Sequence, residues 1–493
     1  MQTPFLPGWR ARLAPLGSRG SSPVPPLRQA TLAQIERQLA PAVDPALLQQ
    51  RAAHAHSRER VFTLARTFWC WIWQVLQANT SCREVVQQVQ ALFALEQLKA
   101  VDGSSAAYCQ ARSKLTLGLL QKIFAGSSQQ AEALATSGTL LRGRPLRLVD
   151  GTGLRLPDTP ANRTAFPPPK NQPAGTGFPH LKVVALFSLA SGAVLAHSIG
   201  SLRQSELRLF LCLRAWFKKG EVLILDRAYG IYLVAAILHG MGVDLVARVP
   251  TRIRTVDFRK ARQRLGPNDA LFVWQKPNRP SPLLPRSQWL ALPSALTLRL
   301  VRVRINRKGF RIRDLTVVTS LLDPALYPPQ EIQEAYLKRW RMEMCFDDLK
   351  TTLDMEYLSC LSPKMVHKEL LVFLTAHNFL RWIMAQAAQR GGSQLERVSF
   401  KGCLDAFRQF TQALAQVGNT RRQAKRRDHL WQRFLQTLNQ DLVPERPGRR
   451  EPRAVKRKRK YYELNQPRHL WKDRLARHKR ASLSRQKHSW NLN

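Results

Sequence analysis

Tyr336, Arg339, Glu343 and Lys350 lie within one stretch, EAYLKRWRMEMCFDDLK, at steps of three, four and seven residues. On a continuous α-helix those steps keep all four side chains on one face. That face carries one carboxylate among two cations and a phenol, a combination suited to holding a metal ion and a phosphate together. Two further carboxylates, Asp150 and Asp226, stand far upstream in segments with strand character. Three acids drawn from separate parts of a very basic chain are what metal-assisted phosphoryl transfer on a nucleic acid requires.

Acids are scarce around the first two. Between residues 141 and 228 they are Asp150, Asp158, Glu206, Glu221 and Asp226. Asp150 shares the apolar side of its strand with Leu146, Leu148 and Leu154, and Asp226 ends the run VLIL. A carboxylate near a buried face is costly unless paired or metal-bound. Two that face one another force a proton onto one of them. A divalent cation removes the conflict. Mg²⁺ takes oxygen ligands, usually one or two carboxylates plus water and phosphate oxygens. Two such ions activate the attacking oxygen and stabilise the leaving one. Each acid also has a plain structural reading: Asp150 as a turn residue before Gly151, Asp226 as a partner of Arg227 or another cation, Glu343 as half of a helical ion pair with Arg339. Asp158, Asp347, Asp348 and Asp354 read as surface or capping acids.

The whole chain supports an anionic partner. It has 493 residues, 44% apolar, with 78 Lys and Arg against 33 Asp and Glu and a formal charge of +45. A compact protein so charged repels itself without such a partner, and nucleic acid fits because neutralising phosphates releases counterions. A membrane surface fits less well, since no stretch reaches the roughly 18 apolar residues of a span; His377, Asn378 and Arg381 interrupt the nearest, 370–385. The seven cysteines form no CxxC pair, against a zinc module or a disulfide framework and in favour of a reducing cytoplasm.

These residues need a scaffold, and the pattern of the chain suggests one. Residues 1–30, rich in Pro, Gly and Arg, read as disordered. Residues 31–136 read as a helical domain. Within it SCREVVQQVQALFA opens on a Ser cap, and GSSAAYCQARSKLTLGLLQKIF follows a short turn; together they read as a helix-turn-helix presenting Arg112 and Lys114 to DNA, or as an ordinary helical hairpin. Residues 140–249 pass from strands to alternating strand and helix, an α/β core. Residues 250–313 read as an inserted, mainly β subdomain. Residues 314–390 return to the core with a strand and two long helices, the first carrying the Tyr-Arg-Glu-Lys face. Residues 391–493 read as one more helical stretch and a strongly basic tail with the run VKRKRKYY, disordered until it meets DNA.

DGT at Asp150, D-R-A-Y-G at Asp226 to Gly230 and Y-x2-R-x3-E-x6-K from Tyr336 to Lys350 resemble the DDE transposases of bacterial insertion sequences, and the last signature resembles their insertion-sequence-four type. Trp340 beside Arg339 and the segment SSAAYCQARSKL resemble the same family. The resemblance covers about residues 140–390, with the acids 76 and 117 residues apart. It implies a ribonuclease-H-like α/β core interrupted by a β insertion, with Asp150, Asp226 and Glu343 as ligands of two Mg²⁺ ions for which Mn²⁺ substitutes. It implies cut-and-paste transposition: strands nicked at terminal inverted repeats, then attack by the freed 3′-hydroxyl on the opposite strand or on target DNA. Tyr336, Arg339 and Lys350 would hold phosphates, and an aromatic residue of the insertion would stack on a flipped base, with Trp274 and Trp289 as candidates unless they are core. A homodimer in a paired-end complex, at the nucleoid in the cytoplasm, is implied as well. Two other readings stay open: a metal-dependent nuclease of the same fold without strand transfer, and a non-catalytic nucleic-acid-binding protein.

Overall fold

The computed structural model describes residues 31–49, 61–77, 80–134, 141–169, 177–250, 256–304, 314–417 and 421–444. The expected disordered N-terminus and the VKRKRKYY tail lie outside the described residues. No described helix is long and apolar enough to cross a membrane.

A nine-stranded sheet runs through the molecule: β1 (Leu146–Arg155), β2 (His180–Ser188), β3 (Val194–Ser201), β4 (Val222–Leu225), β5 (Asp244–Arg248), β6 (Gln263–Gly266), β7 (Asp269–Gln275), β8 (Ala295–Arg304) and β9 (Asp314–Thr319). Its order is β3-β2-β1-β4-β5-β9-β8-β7-β6. The first three strands are antiparallel; β4 lies parallel to β1, and β5 parallel to β4. The strands of the expected β insertion, β6 to β8, continue this sheet, because β9 pairs with both β5 and β8. A buried ion pair fastens that half: Arg299 Nη2 meets Asp269 Oδ2 at 2.5 Å, and Arg299 Nη1 donates to the Tyr327 carbonyl at 2.7 Å.

Helices cover both faces. Ahead of the sheet come α1 (Thr31–Leu39), α2 (Pro45–Gln49), α3 (Leu64–Leu76), α4 (Cys82–Leu95), α5 (Ala106–Lys114) and α6 (Leu117–Ala133). Between and after the strands come α7 (Pro160–Ala165), α8 (Glu206–Cys212), α9 (Tyr232–Gly240), α10 (Arg286–Leu290), α11 (Pro329–Leu337), α12 (Trp340–Asp347), α13 (Pro363–Gly391), α14 (Phe400–Gln416) and α15 (Ala424–Gln440). Alternation along β1 and β4 divides the core in two. Leu146, Leu148, Val222 and Ile224 join the cluster that contains α13, while Val149, Leu223 and Leu225 join the one that contains α8 and α9.

The polar residues that interrupt the apolar run of α13 are the ones that dock it. Asn378 accepts from the Val194 N–H at 2.9 Å and donates to the Val194 carbonyl at 3.0 Å, which ties the helix to β3. Arg381 meets Asp348 at 2.5 Å, so Asp348, expected as a surface or capping acid, anchors α13. The helical stretch expected beyond 391 is two helices, α14 and α15, packed through Phe407, Phe410, Trp431 and Phe434.

The expected DNA contact at Arg112 is corrected by its burial. Ser81 caps α4 as expected, accepting from the Glu84 N–H, but on α5 the Arg112 side chain turns inward and is 4% exposed. Its guanidinium lies 3.9 Å from the Trp71 ring and donates to the sulfurs of Cys82 and Cys360, each at 3.2 Å. Desolvating a guanidinium is tolerable where an aromatic face and acceptors receive it, and here that role is in the core. Lys114 is exposed. Arg112→Ala is expected to cost about 2–4 kcal/mol of stability and Lys114→Ala less than about 0.5 kcal/mol, read as shifts in the urea midpoint. An Arg112→Ala protein as stable as the parent would contradict the core role.

Candidate active site

Register brings the first two acids together. Val149 pairs with Leu225 across β1 and β4, so Asp150 and Asp226, one residue further on each strand, stand side by side. Both occupy the parity of Leu148 and Ile224 and so face the same side. β4 ends at Leu225, whereas β1 runs on to Arg155. The acids therefore sit where one strand stops and its neighbour continues, with backbone opening toward solvent. After Asp226 the chain turns through a 3-10 turn, Arg227–Tyr229. Gly230 must follow: a Cβ there would lie 2.3 Å from the Arg248 carbonyl oxygen, which is fixed in the backbone.

Tyr336, Arg339 and Glu343 approach the same face, but not on one helix. α11 ends at Leu337 and α12 begins at Trp340, with Arg339 at the junction; a π-helical turn, Asp348–Thr352, then carries Lys350. Lys338 and Arg339 keep helical dihedrals and Arg339 still meets Glu343 one turn on, whereas the π turn shifts the angular phase at Lys350. Arg339 reaches Asp150 at 3.7 Å and Glu343 at 3.8 Å. Tyr336 is buried, and its hydroxyl pKa is raised chiefly by burial, with Arg339 opposing and Asp226 adding to the shift. Lys350 is half-buried and makes no ion pair among the described residues.

Of the plain structural readings, the helical pair Arg339–Glu343 is present, at a distance where an exposed pair is worth less than about 1 kcal/mol. Asp226 does not pair with Arg227, whose side chain is exposed. Asp150 accepts the Gly151 N–H at 2.8 Å. Burial pushes its carboxyl pKa up to about 6; the Gly151 N–H and Arg339 pull it down, while Asp226 and Glu206 push it further up. The set fits a divalent cation in kind: hard oxygen donors crowded together, with a guanidinium drawn in between two of them. The cage expected from sequence is nonetheless open, for no three His, Cys, Asp or Glu among the described residues stand close enough to hold an ion as they are.

Two residues that sequence reasoning did not assign to the site belong to its surroundings. Tyr229, in the D-R-A-Y-G motif, is fully buried against Phe210, and Glu206 packs against Gly151. The signal for the second was the glycine itself, a strand residue without a side chain beside an acid. Trp289 is core, edge-on to Tyr232, and Trp274 is half-buried against the same cluster.

Residues 141–379 match the family described as transposase DDE domain. These residues carry the features of a transposase DDE domain. A curated relative, the transposase InsG for insertion sequence element IS4 of Escherichia coli (strain K12), is 25% identical over 352 residues, covering 70% of this chain and 76% of that protein; together the two matches support a DDE transposase of the insertion-sequence-four type. Among solved structures, a piggyBac transposase synaptic complex with hairpin DNA aligns at a TM-score of 0.39 and 11% identity, covering 82% of this chain and 84% of that one.

The raised pKa of Asp150 in the transposase has a measurable consequence. The folded protein holds that proton more tightly than the unfolded chain, so the contribution to stability is full below the unfolded value near 3.8 and is lost as pH rises through about 6. Asp150→Asn, which carries no charge at any pH, is expected to stabilise the metal-free protein by about 2 kcal/mol at pH 8, with the gain gone by pH 4. Chemical denaturation of both proteins across that range checks it; a difference that stays constant with pH would contradict the burial of this carboxyl.

Proposed function

We propose that this DDE transposase cuts and pastes the insertion sequence that encodes it, binding DNA at terminal inverted repeats, cleaving there and joining the 3′-hydroxyl ends to target DNA. The observation that carries the reading is the meeting of Asp150 and Asp226 on adjacent strand ends with Arg339 linking Asp150 to Glu343. The order β3-β2-β1-β4-β5, with three antiparallel strands followed by two parallel ones, supports a ribonuclease-H-like core. Asp150, Asp226 and Glu343 would hold the divalent ions, Mg²⁺ with Mn²⁺ as a substitute. When bound, such ions offset the charge of the scissile phosphate and favour ionisation of the attacking hydroxyl or water.

The chain's own residues do the rest. Arg339 offers a planar fork of donors to phosphate oxygens, Lys350 a point charge, and Tyr336 a hydroxyl beside them. The apolar walls on either side of β1 and β4 fix the acids against a rigid sheet, so the substrate phosphate bears the adjustment. The excess of cations gives the protein its non-specific hold on DNA, and Lys114 is one exposed candidate for it. A homodimer bringing two ends together completes the reading.

Incubating the purified protein with its terminal repeats, a target plasmid and Mg²⁺ tests it. Cleaved ends joined to the plasmid are expected. Asp150→Ala, Asp226→Ala and Glu343→Ala are each expected to lose cleavage by at least about a thousandfold while still shifting the end DNA in a gel. Ends that are cut and never joined would favour a nuclease, and unchanged cleavage by any of the three variants would remove that acid from the site.

A further inference from the structure

The helix that bears Glu343 rests partly over a void. Toward the end of α12, Cys345 and Phe346 are buried, and Phe346 stands edge-on to Phe187 of β2 at 5.3 Å. Elsewhere along the helix there is a cavity of about 200 Å³. Its walls include Arg341 and Met344 of α12, Leu148 of β1, Ser191 of the β2–β3 turn, Arg381 of α13 and Glu396. A void supplies no contacts that could set the height or the roll of a helix. That task falls to the charged groups at its rim.

Two ion pairs stand there. Arg381 meets Asp348 just past the end of α12. Arg341, in the first turn of α12, meets Glu396, which lies in a 3-10 turn, Leu395–Arg397, between α13 and α14. That turn is itself anchored, since Val398 beside it bridges to Leu442. Burial lowers the pKa of Arg341, Cys345 opposes, and the charge of Arg381 lowers it further, so the two guanidiniums feel one another across the cavity. Without Glu396, Arg341 would keep that like charge and lose its counter-charge. The Arg341–Glu396 pair is partly exposed on both sides, so it adds little to global stability. Its position gives it leverage of another kind. Arg341 and Glu343 are two residues apart, on nearly opposite sides of a helix with about 3.6 residues per turn. A roll of about 20° carries a carboxylate about 5 Å from the helix axis through about 2 Å, and a misplacement of about 1 Å costs about a hundredfold in rate.

We propose that Arg341 and Glu396 are positioning residues: their ion pair sets the roll of α12 and, with it, where the Glu343 carboxylate stands relative to Asp150 and Asp226. Neither touches the reacting atoms. The proposal rests on the catalytic reading of Glu343 given above. On the front of the helix Arg339 draws Glu343 and Asp150 toward one cation, at 3.8 and 3.7 Å, contacts too long to fix a carboxylate alone. The pair behind the helix supplies the constraint that the front lacks, and it does so without occupying the face that DNA must reach.

The test uses the full-length protein and two readouts. Hydrogen exchange of the metal-free, DNA-free protein reports on α12 itself. Glu396→Gln and Arg341→Gln are each expected to speed amide exchange across residues 340–347 about tenfold, with β1, β4 and the urea midpoint as in the parent. In Mg²⁺, cleavage of the end DNA is expected to fall about tenfold or more in kcat at saturating DNA, while gel-shift affinity for the ends stays as in the parent. Arg341→Lys, which keeps the charge, is expected to retain most of the parent rate. Parent-like cleavage by Glu396→Gln overturns the proposal, and so does slowed cleavage with parent-like exchange in α12. An Arg341→Lys protein as slow as Arg341→Gln overturns it too. Exchange that rises equally in β1 and β4, with a lowered urea midpoint, would make the pair a contact of the whole fold and likewise overturn it. Each of these results leaves Glu343 in the site as long as Glu343→Ala abolishes cleavage by a parent that cuts its ends. A parent that does not cut them overturns both readings.

Discussion

Strand register sets two carboxylates shoulder to shoulder, and much else in this transposase answers that electrostatic crowding. Pairing of Val149 with Leu225 leaves no freedom in where Asp150 and Asp226 emerge. The residues just before them, Val149 and Leu225, are buried, so neither acid can withdraw without pulling an apolar side chain out of the core. The cost of their mutual repulsion must then be met by protonation, by a cation from outside or by a cation of the protein. The described structure uses the last in part: Arg339 sits within 4 Å of Asp150, while burial still holds that carboxyl near a pKa of 6.

The scaffold that holds this arrangement is stapled by polar contacts inside the apolar layers. Arg147 on β1 meets Glu221 at 2.8 Å and Glu132 of α6 at 2.6 Å, which ties the start of β1 to the residue before β4. Asn378 fixes α13 to β3, and Arg381 one turn later fixes it to Asp348, beside α12. These contacts form a connected path from the strand acids, through the sheet and α13, to the helix that bears Glu343. Removing one member of such a buried pair strands the other's charge, which is far costlier than losing an exposed pair. The same reasoning accounts for the guanidinium of Arg112 in a core of aromatic rings and thiols.

Sequence alone carried the residue types and the alternation that marks β1, since Leu146, Leu148, Asp150 and Leu154 repeat at the strand period. It also carried the polar interruptions that disqualify α13 as a membrane span. Three features were not legible because they depend on contacts distant in the chain. The strands between 263 and 304 read locally as a β insertion, and the pairing of β9 with both β5 and β8 shows how they extend one sheet. The segment from 336 to 352 is rich in residues that favour helix, so nothing local marks the break at Arg339 or the π turn at Lys350. Arg112 reads as a surface cation on α5, and its inward turn depends on Trp71 and Cys360, the latter 248 residues away. The gap at Gly151 was visible as a glycine, but the acid that fills it comes from a helix beyond two further strands.

Arg339 joins α11 to α12, and its guanidinium is shared between Asp150 and Glu343 at 3.7 and 3.8 Å, longer than a well-formed charge-assisted hydrogen bond. Such a cation is held by field rather than by fixed geometry, and a stronger field can redirect it. On the proposed reading, divalent ions take over the neutralisation of the acids and the phosphate of the DNA end offers the guanidinium a bidentate partner. Arg339 would then exchange two weak, long contacts for a planar, close one without any change in fold. On that reading the charge that neutralises the acids in the free protein is the same charge that the substrate phosphate would need, and a cation placed to serve both states would account for the open cage of the free site.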